Sequence, residues 1–240
     1  MAETNELPDA PAVAREVFSG EAWPKARAFA EMLAGPGVVR GLLGPREVPR
    51  IWDRHLLNCA VVAEVVPEGV RLVDIGSGAG LPGIVLAIIR PDITVTLLEP
   101  LLRRTTFLEE CVEALKLENA EVLRGRAEEI AGKRVFDVAC ARAVAPLDRL
   151  LVWSMPLLVE GGQLLAVKGE RAAEELESAQ ETLRATGARH AELVTVGRDK
   201  VEPPATLVRV FAGQAPPRPV RGGGRRAPGG QGKRRRKRQR

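Results

Sequence analysis

From Leu72 onward, short runs rich in Val, Ile and Leu alternate with longer segments whose apolar positions recur at helical spacing. Strands are expected at Leu72–Ile75, Thr94–Leu98, Glu121–Leu123, Val135–Ala141 and Gln163–Val167. Helices are expected between them, at Leu81–Arg90, Leu101–Leu117, Ala127–Ala131, Leu147–Val159 and Arg171–Thr186. Two late strands, Ala191–Val196 and Leu207–Phe211, are separated only by the Gly197–Ala205 loop and read as a hairpin. Such alternation implies an α/β fold, with a mostly parallel sheet, helices on both faces and an antiparallel hairpin at its end. Before the first strand the pattern is helical only, over Val13–Gly41 and Arg50–Val66, with breaks at Pro36–Gly37 and at Pro67 and Gly69. The chain therefore divides into a helical cap (1–69), an α/β body (70–213) and a tail (214–240).

Length and charge sharpen this division. A chain of 240 residues holds one domain with a full core. No apolar run approaches the ~20 residues of a membrane helix. The polar, acidic start MAETNELPDAPAVARE does not read as a signal peptide. Cys59, Cys111 and Cys140 lack metal-ligand spacing, and they are expected as reduced core residues of a cytoplasmic protein. The net charge of +5 hides an asymmetry: Gln214–Arg240 carries eleven Lys and Arg and no acid, leaving 25 basic against 31 acidic residues elsewhere. A tail of Pro, Gly and like charges buries too little apolar surface to fold and is expected to be disordered.

The stretch LVDIGSGAGLPG, Leu72 to Gly83, concentrates the candidate chemistry. An apolar strand runs into Asp74, then come Gly76, Gly78 and Gly80, then Leu81 and an apolar helix. Strand, glycine loop and helix present backbone N–H groups to a nucleotide-like ligand. Two ligands fit. Gly78 to Gly83 matches the dinucleotide pattern G-x-G-x-x-G, with Glu99 21 residues beyond Gly78 as a ribose-binding acid. Asp74 favours a ligand bearing positive charge, such as the amino and sulfonium groups of S-adenosylmethionine (SAM), and the loop then resembles motif I of class I SAM-dependent methyltransferases. Glu99 would accept from both ribose hydroxyls, and Ala127 with Glu128 would lie near an adenine. Arg142 ends the fourth strand, where ligands of open α/β sheets sit, and Lys168 ends the fifth on the same rim. The chain contains no tyrosine, which removes the Tyr–Lys pair of short-chain dehydrogenases and the N-P-P-Tyr box that grips an exocyclic amine. Cys140, inside an apolar strand, reads as core rather than as a nucleophile.

With these residues placed, the chain resembles the bacterial small-subunit ribosomal RNA methyltransferase G family, also called glucose-inhibited division protein B. The resemblance runs from about Pro45 to Phe211 and is carried by DIGSGAGLPGI (Asp74–Ile84), RPD (Arg90–Asp92), FLEECVEALKLEN (Phe107–Asn119), GRAEE (Gly125–Glu129), ARAVAPL (Ala141–Leu147) and AVKGE (Ala166–Glu170). It implies a Rossmann-like class I SAM-dependent methyltransferase fold with a mostly parallel seven-stranded sheet. It implies methylation of N7 of one guanosine in 16S rRNA, in the loop near the decoding site, with SAM as cofactor and no metal. It places Gly76, Leu81, Ala127, Glu128 and Arg142 at SAM, to which the class I pattern adds Asp74, Gly78, Gly80 and Glu99. Arg142 is the one catalytic candidate. Arg54–His55 matches an Arg-His pair of the family, while Asn58 stands where many members have Asp. Expected partners are 16S rRNA and the small ribosomal subunit, with no membrane, the basic tail contacting RNA without sequence preference, and the protein a monomer. The alternatives on the residues alone are methylation of another RNA or a small molecule, an NAD(P)-binding oxidoreductase, and an RNA-binding protein with a relic SAM fold.

Overall fold

The computed structural model describes residues 6–213; the tail, 214–240, lies outside them. The cap begins with helices α1 (Ala12–Val17) and α2 (Ala22–Met32). The single helix expected over Val13–Gly41 is interrupted at Gly20, whose φ is +59°, and widens into a π-helical turn, Leu33–Gly37, where Pro36 has no N–H to give. A 3-10 turn, Pro45–Arg50, follows. The helix expected over Arg50–Val66 is a composite: a π-helical turn Ile51–Leu57, one α turn α3 (Asn58–Ala60) and a 3-10 turn Val61–Val65. Irregular turns of this kind often mark functional positions, and Arg54 and His55 stand in this one.

The body is a seven-stranded sheet of β1 (Arg71–Ile75), β2 (Thr94–Glu99), β3 (Ala120–Arg124), β4 (Phe136–Arg142), β5 (Leu158–Lys168), β6 (Ala188–Val196) and β7 (Ala205–Ala212). The strand order is β3-β2-β1-β4-β5-β7-β6. The first five strands pair in parallel, and β7 pairs antiparallel with both β5 and β6. The chain builds outward from β1 to β3 and returns to lay β4 on the other side of β1. Loops after β1 and β4 therefore diverge, which opens a crevice at the carboxyl ends of the strands.

Helices α4 (Gly83–Ile89) and α5 (Leu102–Ala114) cover one face together with the cap; Phe18, Phe29, Leu33 and Trp52 share one buried cluster with Ile84 and Phe107. Helices α6 (Ala127–Ile130), α7 (Leu147–Ser154), α8 (Ala172–Ser178) and α9 (Gln180–Ala185) cover the other. Two expected helices are shorter than read. Leu147–Val159 stops at Ser154 because Pro156 follows, and β5 already begins at Leu158. Arg171–Thr186 is cut at Ala179, where the Ser178 hydroxyl donates to the Glu174 carbonyl and bends the turn.

Candidate active site

Four loops at the carboxyl ends of β1 to β4 surround a cavity of about 630 Å³, a size suited to a cofactor. Gly76 and Gly78 line it in left-handed backbone conformation, φ +68° and +58°. A Cβ on Gly76 would meet the Val144 side chain at 3.0 Å, so the loop after β1 is seated against the loop after β4. Glu99 lines the cavity with its carboxylate 1 % exposed. Oε2 accepts from the Gly78 amide at 3.1 Å and from Arg104 at 3.4 Å, and Oε1 accepts from the Leu101 amide at 3.0 Å. The acid therefore holds the glycine loop with three of its roughly four acceptor sites and keeps about one for a hydroxyl donor. Leu81, Ala127, Glu128 and Arg142 are also on the wall.

Two expected site residues stand behind the wall. Gly80 is not on the cavity surface, and the Asp74 carboxylate is fully buried beneath the loop. Asp74 Oδ2 accepts from the Gly83 amide at 3.0 Å, and Oδ1 faces Cys140 Sγ at 3.7 Å. Burial pushes this carboxyl up to about 6, against the lowering by its hydrogen bonds and by Arg142. Gly83 is required here for space: a Cβ would stand 2.6 Å from Asp74 Oδ2. Asp74 thus holds the loop from beneath rather than lining the cavity. The same burial raises the Cys140 thiol well above its ordinary range, as a core cysteine requires.

His55, of the Arg-His pair, is on the wall too, together with residues that carry no local sequence signal: Leu42 and Leu43 from the cap, Pro100–Leu101 after Glu99, and Trp153 from α7. Leu42 and Leu43 lie between Gly41 and Gly44, and an apolar pair in a glycine-bounded loop is the one hint available.

A second cavity, about 550 Å³, adjoins the first through Arg142, Ala143 and Val144. Arg54, Asn58, the Ala145–Pro146 loop and Lys168 complete it. Ala143, at the junction, has φ +54°, a conformation costing about 1 kcal/mol for a residue with a Cβ and typical of functional sites. Lys168 is on the rim, as its place at the end of β5 predicts, and its ammonium is engaged there by protein groups. It donates to the Ala145 carbonyl and to Glu175 Oε2, both at 2.8 Å. Glu175 Oε2 also accepts from the Leu147 amide at 2.8 Å.

Arg142 is gripped from the cap side. Its Nη1 donates to the Arg54 carbonyl at 3.2 Å and its Nη2 to His55 Nδ1 at 2.9 Å. His55 Nε2 lies 2.9 Å from Glu47 Oε2. Burial, and next the Arg142 charge, lower the His55 pKa to about 4, so the imidazole is neutral and its link to Glu47 is a hydrogen bond rather than an ion pair. Among the described residues no cluster of His, Cys, Asp and Glu is arranged to hold a metal.

The sequence matches the profile of a family described as rRNA small subunit methyltransferase G over residues 23–202. The chain belongs to that family. The ribosomal RNA small subunit methyltransferase G of Thermobifida fusca is 60% identical over 197 residues, covering 82% of this chain and 83% of that protein. Its counterpart from Streptomyces avermitilis is 58% identical over 217 residues, covering 90% and 91%. A solved SAM-dependent methyltransferase from Aquifex aeolicus, 18% identical, superposes with a TM-score of 0.50 over 68% of this chain and 93% of its own. The fold is that of the class I SAM-dependent methyltransferases, and membership in the methyltransferase G family removes the dinucleotide-oxidoreductase reading of the glycine loop.

Proposed function

We propose that the chain methylates N7 of a guanosine in 16S rRNA, using SAM held in the larger cavity. The donor set fits SAM: glycine amides of a tight loop, a buried carboxylate at Glu99 for a ribose hydroxyl, and the Ala127–Glu128 turn for the adenine edge. Bound there, SAM supplies an electrophilic methyl group. Leu81 completes the loop side of the pocket, and Asp74 and Gly80 support it from behind. The base would enter the second cavity, beside Arg142 and the strained Ala143.

The observation that carries this reading is the engagement of every candidate base at the junction. His55 accepts at one ring nitrogen and donates at the other, and Glu175 is occupied by Lys168 and the Leu147 amide. Methylation of an exocyclic amine or a hydroxyl needs a proton acceptor. Guanine N7 bears an in-plane lone pair and no hydrogen, so the lone pair forms the N–C bond as the C–S bond breaks, and the purine keeps the positive charge. Catalysis then reduces to alignment and to the field around the reacting atoms. Arg142, the catalytic candidate, offers its remaining N–H groups to both cavities and orients what lies there.

The same reading divides the chain into a cap (1–69) that closes the cofactor pocket through Leu42 and Leu43, the methyltransferase body (70–213) and a tail (214–240) that adds non-specific RNA affinity. Arg104 and Arg54, which line the two cavities, together with Arg50 and Arg103, are the cations that would meet phosphates, and the protein would act as a monomer in the cytoplasm. No described helix is long and apolar enough to cross a membrane.

Labelled SAM incubated with small subunits from cells lacking this gene tests the proposal directly. The expected product on nucleoside analysis is N7-methylguanosine confined to 16S rRNA. Label in another nucleoside, or none despite SAM binding, overturns the substrate assignment.

A further inference from the structure

Among the described residues Arg142 is the only charged side chain that lines both cavities, and it is held by His55 on the wall of the first and by Arg54 on the wall of the second. A guanidinium has donors and no acceptor. His55 Nδ1, 2.9 Å from Arg142 Nη2, must therefore present a lone pair. A neutral imidazole carries one ring proton, which places it on Nε2, where it donates to Glu47 Oε2 at 2.9 Å. The other Glu47 oxygen accepts from Arg54 Nη1 at 3.3 Å, and the carbonyl of that same Arg54 receives Arg142 Nη1. One carboxylate in the 3-10 turn of the cap thus holds both residues through which the cap grips the β4 arginine.

We infer that Glu47 is a positioning residue for the methyl transfer: by accepting the Nε2 proton of His55 it selects the tautomer whose Nδ1 fixes Arg142 between the cofactor and acceptor cavities. The inference rests on the methyltransferase reading for its catalytic consequence but not for its geometry. Without an acceptor at Nε2 the Nδ1–H tautomer competes, and a proton at Nδ1 faces the Arg142 N–H groups and drives the guanidinium out of place. The cap is then an arm of the catalytic centre as well as a cover, and the irregular π-helical turn has a purpose. It presents a ring nitrogen and a backbone carbonyl from adjacent residues, His55 and Arg54, to one guanidinium.

Glu47→Gln separates this role from bulk stability. The Gln carbonyl still accepts from Nε2–H, while the link to the half-exposed Arg54 is lost at little cost. Glu47→Ala removes both. On small subunits, Glu47→Ala should lower kcat by about tenfold or more, with melting temperature little changed, and Glu47→Gln should stay within about threefold of wild type. The spectroscopic signature is independent of substrate. The chain has only two histidines, so the nitrogen spectrum of ¹⁵N-histidine-labelled full-length protein is simple to assign. His55 should be the neutral Nε2–H tautomer at pH 7 in wild type and in Glu47→Gln, and a mixture in Glu47→Ala. A wild-type His55 protonated at Nδ1 overturns the proposal even if every variant misfolds. A folded Glu47→Ala with wild-type kcat overturns it on the kinetic side. A wild-type protein that shows the expected tautomer but methylates no guanosine leaves Glu47 as the tautomer-setting group and overturns the substrate reading instead.

Discussion

Two residues at the carboxyl edge of the sheet show how burial decides chemistry. Asp74 is a carboxylate with no exposed surface, held near pKa 6 by desolvation. Its pKa in the unfolded chain is about 4, so between these values the native state binds more protons than the unfolded state. Stability therefore falls as pH rises from about 4 to about 6, by roughly 2–3 kcal/mol for this group. Asp74→Asn keeps an oxygen for the Gly83 amide and removes the buried charge. Denaturant titrations at several pH values should show a flattened profile across this window, with stability at pH 7 equal to or above wild type; an unaltered slope would show that Asp74 is not the titrating group. Arg142 is the opposite case, a cation whose value lies in its donors. Arg142→Ala should reduce methyl transfer by orders of magnitude with the far-UV spectrum unchanged, and Arg142→Lys should rescue little, because an ammonium cannot reach the Arg54 carbonyl and His55 with a fixed fork while serving two cavities. Near-normal turnover in either variant removes Arg142 from the centre.

Elements are joined by side chains that satisfy backbone groups at their ends. Arg90, after α4, donates to the Val66 carbonyl at 2.7 Å and the Pro67 carbonyl at 2.9 Å, and pairs with Asp92 at 2.6 Å. Asp92 in turn accepts from the Gly69 amide at 3.1 Å. The last carbonyls of a helix have no partner of their own, so this pair closes the end of the cap and fastens it to the sheet. Arg90→Met, which keeps the apolar stem, should lower stability by about 1–3 kcal/mol in denaturant unfolding. The Arg90-Pro-Asp letters, conspicuous in sequence, thus serve attachment rather than catalysis. The Lys168–Glu175 clamp does the same for the loop after β4. Glu175→Ala frees the Leu147 amide and the Lys168 ammonium together, and it should raise KM for the small subunit more than it changes SAM affinity, because the loop it holds lines the acceptor cavity. Equal loss of both would mean that the clamp supports the whole edge.

At the scale of the molecule the decisive feature is the switch point between β1 and β4. It draws the glycine loop, the Glu99 turn and the Arg142 loop to one edge of the sheet, and the cap adds His55 from a helix that precedes them all. The charge is divided on this scale too: the basic excess belongs to residues 214–240, and the rest of the chain is mildly acidic. Removal of Gln214–Arg240 should weaken RNA binding and flatten its dependence on salt, with SAM affinity unchanged. The log–log slope should fall by about 0.7 for each single-strand phosphate that the tail no longer neutralises. An unchanged slope would make the tail a bystander.

Strand and helix alternation, the glycine loop and Glu99 were legible in the sequence because each depends on neighbours a few residues away: apolar periodicity, left-handed turns, an acid at a strand end. The boundaries that failed, at Gly20, Ser178 and Pro156, lie inside stretches whose helical periodicity resumes after the break, so the pattern alone runs across them. Asp74, Lys168 and His55 could be singled out from sequence, but not their directions. Each takes its role from a partner in another loop or strand: Gly83 and Cys140 for Asp74, Ala145 and Glu175 for Lys168, Arg142, 87 residues away, for His55. Local periodicity and turn chemistry thus determined the elements, the cofactor loop and the uneven charge of this protein. Only the tertiary structure decided which polar groups face the cavities and which are consumed in holding one another, because burial and donor–acceptor pairing are properties of the packed chain.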